Sequence, residues 1–204
     1  MNNHTINKKQ IGVFSGSFNP IHIGHLILAN YITEFSYIDE IWFVVTPLNP
    51  SKEAVGLADE DHRFQMCCMA LANMDKLKVS KIEFSMPKPS FTINTLDRLQ
   101  RDYTDFDFCL IMGSDNWNKL HLWKEYKRIK RDFKIIIYPR LNEEVKIEDE
   151  FKKSVLFCNA PILEISSTFI RKSLKEGRDI RTFLPQGVYD YILEHNIYMK
   201  DVLI

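Results

Sequence analysis

Two histidines three residues apart, His22 and His25, flank Gly24 just beyond a short apolar run, 11–14, and a stretch of small and turn-forming residues. On a helix that spacing puts both rings on one face of the first turn, and a glycine there leaves room for a ligand or another backbone. Asn19 is a good N-cap type and Pro20 suits the first helical position, so the stretch predicts strand, tight turn and helix. The exposed N–H groups and positive end of such a helix would face whatever lies above the strand. The corner is therefore an expected anion site.

Other residues could serve the same chemistry. A proline-punctuated loop, 46–52, would present Lys52 from the end of a second strand, within reach of a phosphate. The turn 89–92 leads into a helix with Ser90 or Thr92 as capping candidates, beside the aromatic Phe91. Gly113 would let a ligand approach a strand end, where Asp115 can accept from ribose hydroxyls. Trp123, preferred here over Trp117, could stack on an electron-poor ring. Ser166, Ser167 and Thr168 enter a further helix and make a second anion-binding terminus, with Arg171 one turn in on the side of Ser167.

These residues need a scaffold that gathers them at one edge. Apolar strands are expected at 10–14, 40–46, 78–84, 106–112, 133–138 and 154–157, alternating with amphipathic helices at 21–35, 59–73, 92–103, 123–130, 167–176 and 186–195. Such alternation implies an α/β fold, a doubly wound, mostly parallel sheet covered on both faces, with a small C-terminal helical part. Ligands of such sheets bind beyond the carboxyl ends of the strands, where the strand order switches. There is no Walker sequence and no G-x-G-x-x-G. The stretch 140–150 reads as a solvated charged loop, and His62 and Arg63 as structural or surface residues.

At 204 residues the chain is expected to form one domain, 1–204. Its 27 basic and 27 acidic residues balance, so no global field would gather DNA or RNA, and nucleic acid is not an expected partner. No segment has signal-peptide character or approaches the roughly 18 apolar residues of a membrane span. A soluble, cytoplasmic protein with no membrane partner is expected, as monomer or homo-oligomer. The four cysteines lack CxxC spacing and are read as reduced core or near-core thiols, with no metal site.

The block Ser-Phe-Asn-Pro-Ile-His-Ile-Gly-His resembles the HxGH signature of the nucleotidylyltransferase superfamily, in the wording of the nicotinate-nucleotide adenylyltransferases of NAD synthesis. Pro89-Ser90-Phe91-Thr92, Gly113-Ser114-Asp115 with Trp123 eight residues on, and Ile165-Ser166-Ser167-Thr168-Phe169-Ile170-Arg171 are similar to that family's further motifs, in the right order along the chain. Phe91 replaces a usual tyrosine, and Ser51 stands where the family often has a histidine before Lys52. The resemblance implies a Rossmann-like nucleotidylyltransferase fold and transfer of the adenylyl group of ATP to nicotinate mononucleotide. It implies catalytic roles for His22, His25, Lys52 and Arg171. ATP would contact Ser15, Gly16, Ser17, Phe18, His22, His25, Gly113, Asp115, Ser166, Ser167, Thr168 and Arg171. The mononucleotide would contact Ser17, Phe18, Asn19, Lys52, Phe91, Thr92 and Trp123. Magnesium would arrive with ATP. Competing readings are a sister enzyme using nicotinamide mononucleotide, phosphopantetheine or glycerol phosphate, and a non-catalytic nucleotide-sensing module. A class I aminoacyl-tRNA synthetase also carries His-Ile-Gly-His, but this chain has no Lys-Met-Ser-Lys-Ser and no room for an anticodon module.

Overall fold

Six strands lie side by side in the order β3-β2-β1-β4-β5-β6, every neighbouring pair parallel. They are β1 (Lys9–Gly16), β2 (Glu40–Val45), β3 (Leu77–Ser80), β4 (Phe106–Gly113), β5 (Lys134–Tyr138) and β6 (Val155–Phe157). The computed structural model describes residues 8–48 and 56–199. The strand order reverses between β1 and β4, so a crevice opens above their carboxyl ends.

Helices cover both faces, which is why the strands read as continuous apolar runs. Ile11 and Val13 of β1 face one core with Phe108, Leu110 and Met112 of β4, beneath α3 (Thr92–Asp102), α4 (Ser114–Asn118) and α5 (Tyr126–Asp132). Phe14, Cys109 and Ile111 face the other, beneath α1 (Ile23–Phe35), α2 (Glu60–Leu71), α6 (Ser167–Lys175) and α7 (Val188–Glu194). The C-terminal helices thus close the same layer as the first. Cys67, Cys109 and Cys158 are buried, Cys68 is partly so, and all four are free thiols, as expected.

Local boundaries differ from the sequence expectation for identifiable reasons. Helix α1 begins at Ile23 with His22 as its N-cap residue, not at residue 21 after Asn19. The Asn19 amide is engaged elsewhere: Nδ2 donates to Gly56 O (2.9 Å), while Oδ1 accepts from Ala58 N (3.0 Å) and from the Tyr198 hydroxyl (2.5 Å). Strand β3 stops at Ser80, whose Oγ accepts from Ile82 N (3.3 Å), and residues Ile82–Ser85 form a 3-10 turn that sends Glu83 inward. Neither Ser90 nor Thr92 caps α3 with its side chain; Phe91 is the N-cap residue. Helix α5 starts at Tyr126 rather than 123, because Trp123 is extended and Glu125 takes a left-handed φ of 53°. The five-residue α4 was not expected; it is too short to show a period.

Candidate active site

At the corner between β1 and α1 the two imidazoles stack, with centroids 3.7 Å apart and planes 26° from parallel. His22 N donates to His25 Nδ1 (3.1 Å), and His25 N donates to His22 O (2.9 Å). With Nδ1 accepting, the proton of a neutral His25 ring lies on Nε2. His22 is buried, and its Nδ1 has no hydrogen-bond partner among the described residues. Burial, followed by the charge of Arg140, lowers its pKa to about 4, so at neutral pH it is an uncharged ring. A β-carbon on Gly24 would stand 3.0 Å from His22 Nδ1, so any side chain there would press on the His22 ring.

The loops framing this corner are tied from below by Arg63, one of the most deeply buried side chains in the structure. Its Nη1 donates to Ser17 O and Thr46 O (2.7 Å each), Nη2 to Pro47 O (3.0 Å) and Nε to Ala58 O (2.8 Å). Arg63 is therefore structural, one of the two readings its sequence position left open. Phe18 adopts a φ of 43°, and its ring packs edge-on against Phe14 and His25. Its side chain is thus part of the core under the site.

One wall comes from α6. Ser166 Oγ accepts from Phe169 N (3.1 Å) as an N-cap, and Ser167 Oγ donates to Pro20 O (2.9 Å). Arg171 Nη1 donates to Asn19 O (2.8 Å) and Nη2 to Thr168 Oγ1 (3.3 Å). These bonds strap the helix start to the histidine corner. Beside it, Asp115 lies 3.8 Å from Arg140 Nε, and Arg140 Nη2 donates to the Tyr138 hydroxyl (3.2 Å). Gly113 does not itself line the cleft. A β-carbon there would fall 2.3 Å from Asp115 Oδ1 and 3.2 Å from the Tyr138 ring, so the glycine lets those two side chains close over the strand end.

The opposite wall carries Phe91, Thr92, Trp123 and Lys124 above a polar floor of Thr46, Glu83 and Ser90. Glu83 Oε1 accepts from Thr95 Oγ1 (2.8 Å), and burial raises the Glu83 pKa.

These walls enclose a cleft of about 520 Å³. A second lobe of about 450 Å³ adjoins it, lined by Pro161, Leu163 and Ile165 among others. His22, His25, Asp115, Arg140 and Ser166 border both lobes. Ser15, Gly16, Ser17, Phe18 and Asn19 also line the first lobe, so the expected site residues converge apart from Gly113 and Lys52. Lys52 and Ser51 lie outside the described residues. Arg140 and Glu83 were not anticipated. The stretch 140–150 is not simply a solvated loop: Arg140 enters the cleft, Val145 and Ile147 pack on the core, and Lys146 O accepts from Trp117 Nε1 (3.1 Å). The available signal was that Arg140 follows β5 at the same carboxyl edge as Asp115.

Chemically, the arrangement offers two stacked imidazoles, that of His22 uncharged, a hydroxyl-rich helix start, two guanidinium groups and an aromatic wall, in two lobes sharing one boundary. That suits the joining of two nucleotides at a phosphate. Among the described residues no three His, Cys, Asp or Glu side chains cluster as metal ligands, and no helix is long and apolar enough to cross a membrane.

Comparison with known proteins agrees with this chemistry. Residues 13–173 match the cytidylyltransferase-like family. A probable nicotinate-nucleotide adenylyltransferase of Flavobacterium johnsoniae is 45% identical over 192 residues, which are 94% of this chain and 100% of that protein. One of the same name from Bacteroides fragilis is 47% identical over 187 residues, 92% of each chain. The solved structure of Plasmodium falciparum nicotinic acid mononucleotide adenylyltransferase complexed with NaAD superposes with a TM-score of 0.77 at 26% identity, covering 93% of this chain and 97% of that one.

Proposed function

This chain belongs to the nicotinate-nucleotide adenylyltransferases of the cytidylyltransferase-like family, and from that membership we propose that it transfers the adenylyl group of ATP to nicotinate mononucleotide, giving nicotinate adenine dinucleotide and pyrophosphate in NAD synthesis. The observation that carries the reading is the stacked pair His22 and His25 at the boundary of two adjoining lobes. We read residues 1–204 as one catalytic domain acting in the cytoplasm on small nucleotides.

The 5′-phosphate of the mononucleotide attacks the α-phosphorus of ATP in line. A P–O bond forms there as the bond to the β-phosphate bridge breaks, and pyrophosphate leaves. The attacking phosphate is already ionised near neutral pH, so no strong general base is needed. Catalysis is positioning and charge stabilisation. His22 and His25 donate to the triphosphate and to the charge growing on the α-phosphoryl oxygens. Ser166, Ser167 and Thr168 at the α6 start receive phosphate oxygens, and Arg171 and Lys52 hold the departing pyrophosphate. Ser15, Gly16, Ser17 and Phe18 line the path between the nucleotides, Asp115 accepts from ribose hydroxyls, and Phe91, Thr92 and Trp123 hold the pyridine ring.

The metal is magnesium carried with ATP. A hard cation takes oxygen ligands, and phosphates and water supply them without a carboxylate cage. When bound, it neutralises part of the triphosphate charge.

Pyrophosphate release from ATP and magnesium, measured in parallel with nicotinate mononucleotide, nicotinamide mononucleotide and phosphopantetheine, tests the proposal. Release that is fast with the nicotinate acceptor supports it. Release with phosphopantetheine alone would move the chain to a sister activity, and release with none would leave a nucleotide-sensing module.

A further inference from the structure

We propose that Lys124 is the residue that selects a carboxylate over a carboxamide on the pyridine ring, an inference that rests on the adenylyl-transfer reading above. The turn that presents Trp123 presents Lys124 as well: the chain leaves a 3-10 turn at Leu120–Leu122, runs extended through Trp123 and reverses at the left-handed Glu125. Both side chains line the cleft with Phe91 and Thr92. Lys124 Nζ lies over the Phe91 ring, 4.9 Å from its centroid, so an ammonium charge is held on the aromatic wall next to Trp123.

Apart from its contact with the Phe91 ring, this charge is unpaired among the described residues. The adjacent Glu125 is paired with Arg128 (3.3 Å), and Lys124 makes no ion pair among the described residues. Two acids face the same cleft, and both are engaged: Glu83 accepts from Thr95 Oγ1 (2.8 Å), and Asp115 lies 3.8 Å from Arg140 Nε.

The ligand chemistry makes the position discriminating. The ring nitrogen of either mononucleotide is quaternary and positive. With a carboxylate on the ring the base is a zwitterion, whose negative end can meet the ammonium in a charge-assisted hydrogen bond. With a carboxamide the base keeps a net positive charge, which the ammonium repels. Both terms favour the acid. Backbone N–H groups at the start of α3 donate to a carboxamide oxygen almost as well as to a carboxylate, whereas an ammonium adds a charge–charge attraction that only the carboxylate returns.

The test is the ratio of kcat/KM for nicotinate mononucleotide to that for nicotinamide mononucleotide, at saturating magnesium-ATP, in the wild type, Lys124→Met and Lys124→Arg. Lys124 is exposed, so neither substitution disturbs the core. In Lys124→Met the ratio should fall about tenfold, through a raised KM for the acid and an unchanged or improved value for the amide. Lys124→Arg, which keeps the charge, should stay within about threefold of wild type. An unchanged ratio in Lys124→Met, or an equal loss with both substrates, would overturn the assignment, because a packing role would not tell them apart. A wild type that prefers the amide overturns it too, while leaving adenylyl transfer intact. A wild type that uses neither mononucleotide overturns the adenylyl-transfer reading itself.

Discussion

The cleft has two walls built on different terms. On the phosphate side His22 is 5% exposed, Asn19 6% and Arg63 1%, and each is fixed by hydrogen bonds to backbone or by packing against a neighbouring ring. On the ring side Phe91, Thr92 and Trp123 are half-buried, Lys124 is exposed, and Leu122 is 72% exposed, all carried by a helix start and a short irregular turn. Stabilising charge that appears only in a transition state requires donors already in place, because moving them during the reaction would cost what they return. Reading a ring requires only a complementary surface that can admit it. The phosphate wall should therefore be coupled to the stability of the fold, and the ring wall to substrate affinity alone.

The sharpest way to break that contrast is at Arg63. Arg63→Met keeps most of the volume but strips donors from Ser17 O, Thr46 O, Pro47 O and Ala58 O together. Loss on the order of 3–5 kcal/mol of unfolding free energy is expected, as for other broken buried charge networks, with activity falling alongside. Denaturant unfolding checks it. A variant within about 1 kcal/mol of wild type would show that the corner does not depend on this tie.

His25→Ala asks whether the phosphate wall is also the chemical one. Turnover should drop roughly 100- to 1,000-fold, about 3–4 kcal/mol of transition-state stabilisation, with the fold retained. Steady-state pyrophosphate release alongside circular dichroism measures both. Near-normal turnover would separate the histidine stack from catalysis and sink the proposed role.

The sequence revealed what local chemistry controls. The His-Gly-His spacing, the hydroxyl run into α6 and the alternation of apolar strands and helices are all short-range patterns, and they place the elements in the right order, with the α6 start where its cap implies. What stayed hidden depends on contacts between distant residues. Asn19 looks like a helix cap, yet its amide is claimed by partners 37, 39 and 179 positions away, which moves the helix start to His22. Glu83 belongs by pattern to a strand and is turned inward by a bend that Ser80 creates. Arg140 sits in a charged stretch whose polarity suggests solvent, and only the place of β5 in the sheet brings it to the cleft.

A smaller effect separates the walls by pH. His22 titrates near 6.5 when unfolded and at about 4 when folded, through burial first and Arg140 second. Between those values the unfolded chain binds more protons, so stability is complete above about pH 6.5 and falls as pH drops toward 4, by up to about 3 kcal/mol. Glu83, whose pKa is raised by folding, works with the opposite sign, because the folded chain then holds more protons. Comparing wild type with His22→Asn at pH 7, 5 and 4 removes that contribution, since both proteins carry Glu83. The variant should lose less stability on acidification. Parallel curves would mean that His22 is not held neutral by its site.

The smallest effect is expected on the ring wall, at Trp123. Its indole lines the cleft and packs against the core beneath α3 and α5, while the extended backbone at 123 leaves its ring outside any helix. Trp123→Ala should therefore cost the aromatic contact, about 0.5–1.5 kcal/mol, and appear as a two- to twelvefold rise in KM for the mononucleotide. The KM for ATP and the turnover number should stay near wild type, because the histidine corner and the α6 start owe nothing to this side chain. If both Michaelis constants rose together, or turnover fell as it should in His25→Ala, the ring wall would be part of the preorganised set. The division between a rigid wall for phosphate and a yielding one for the base would then fail at its weakest point.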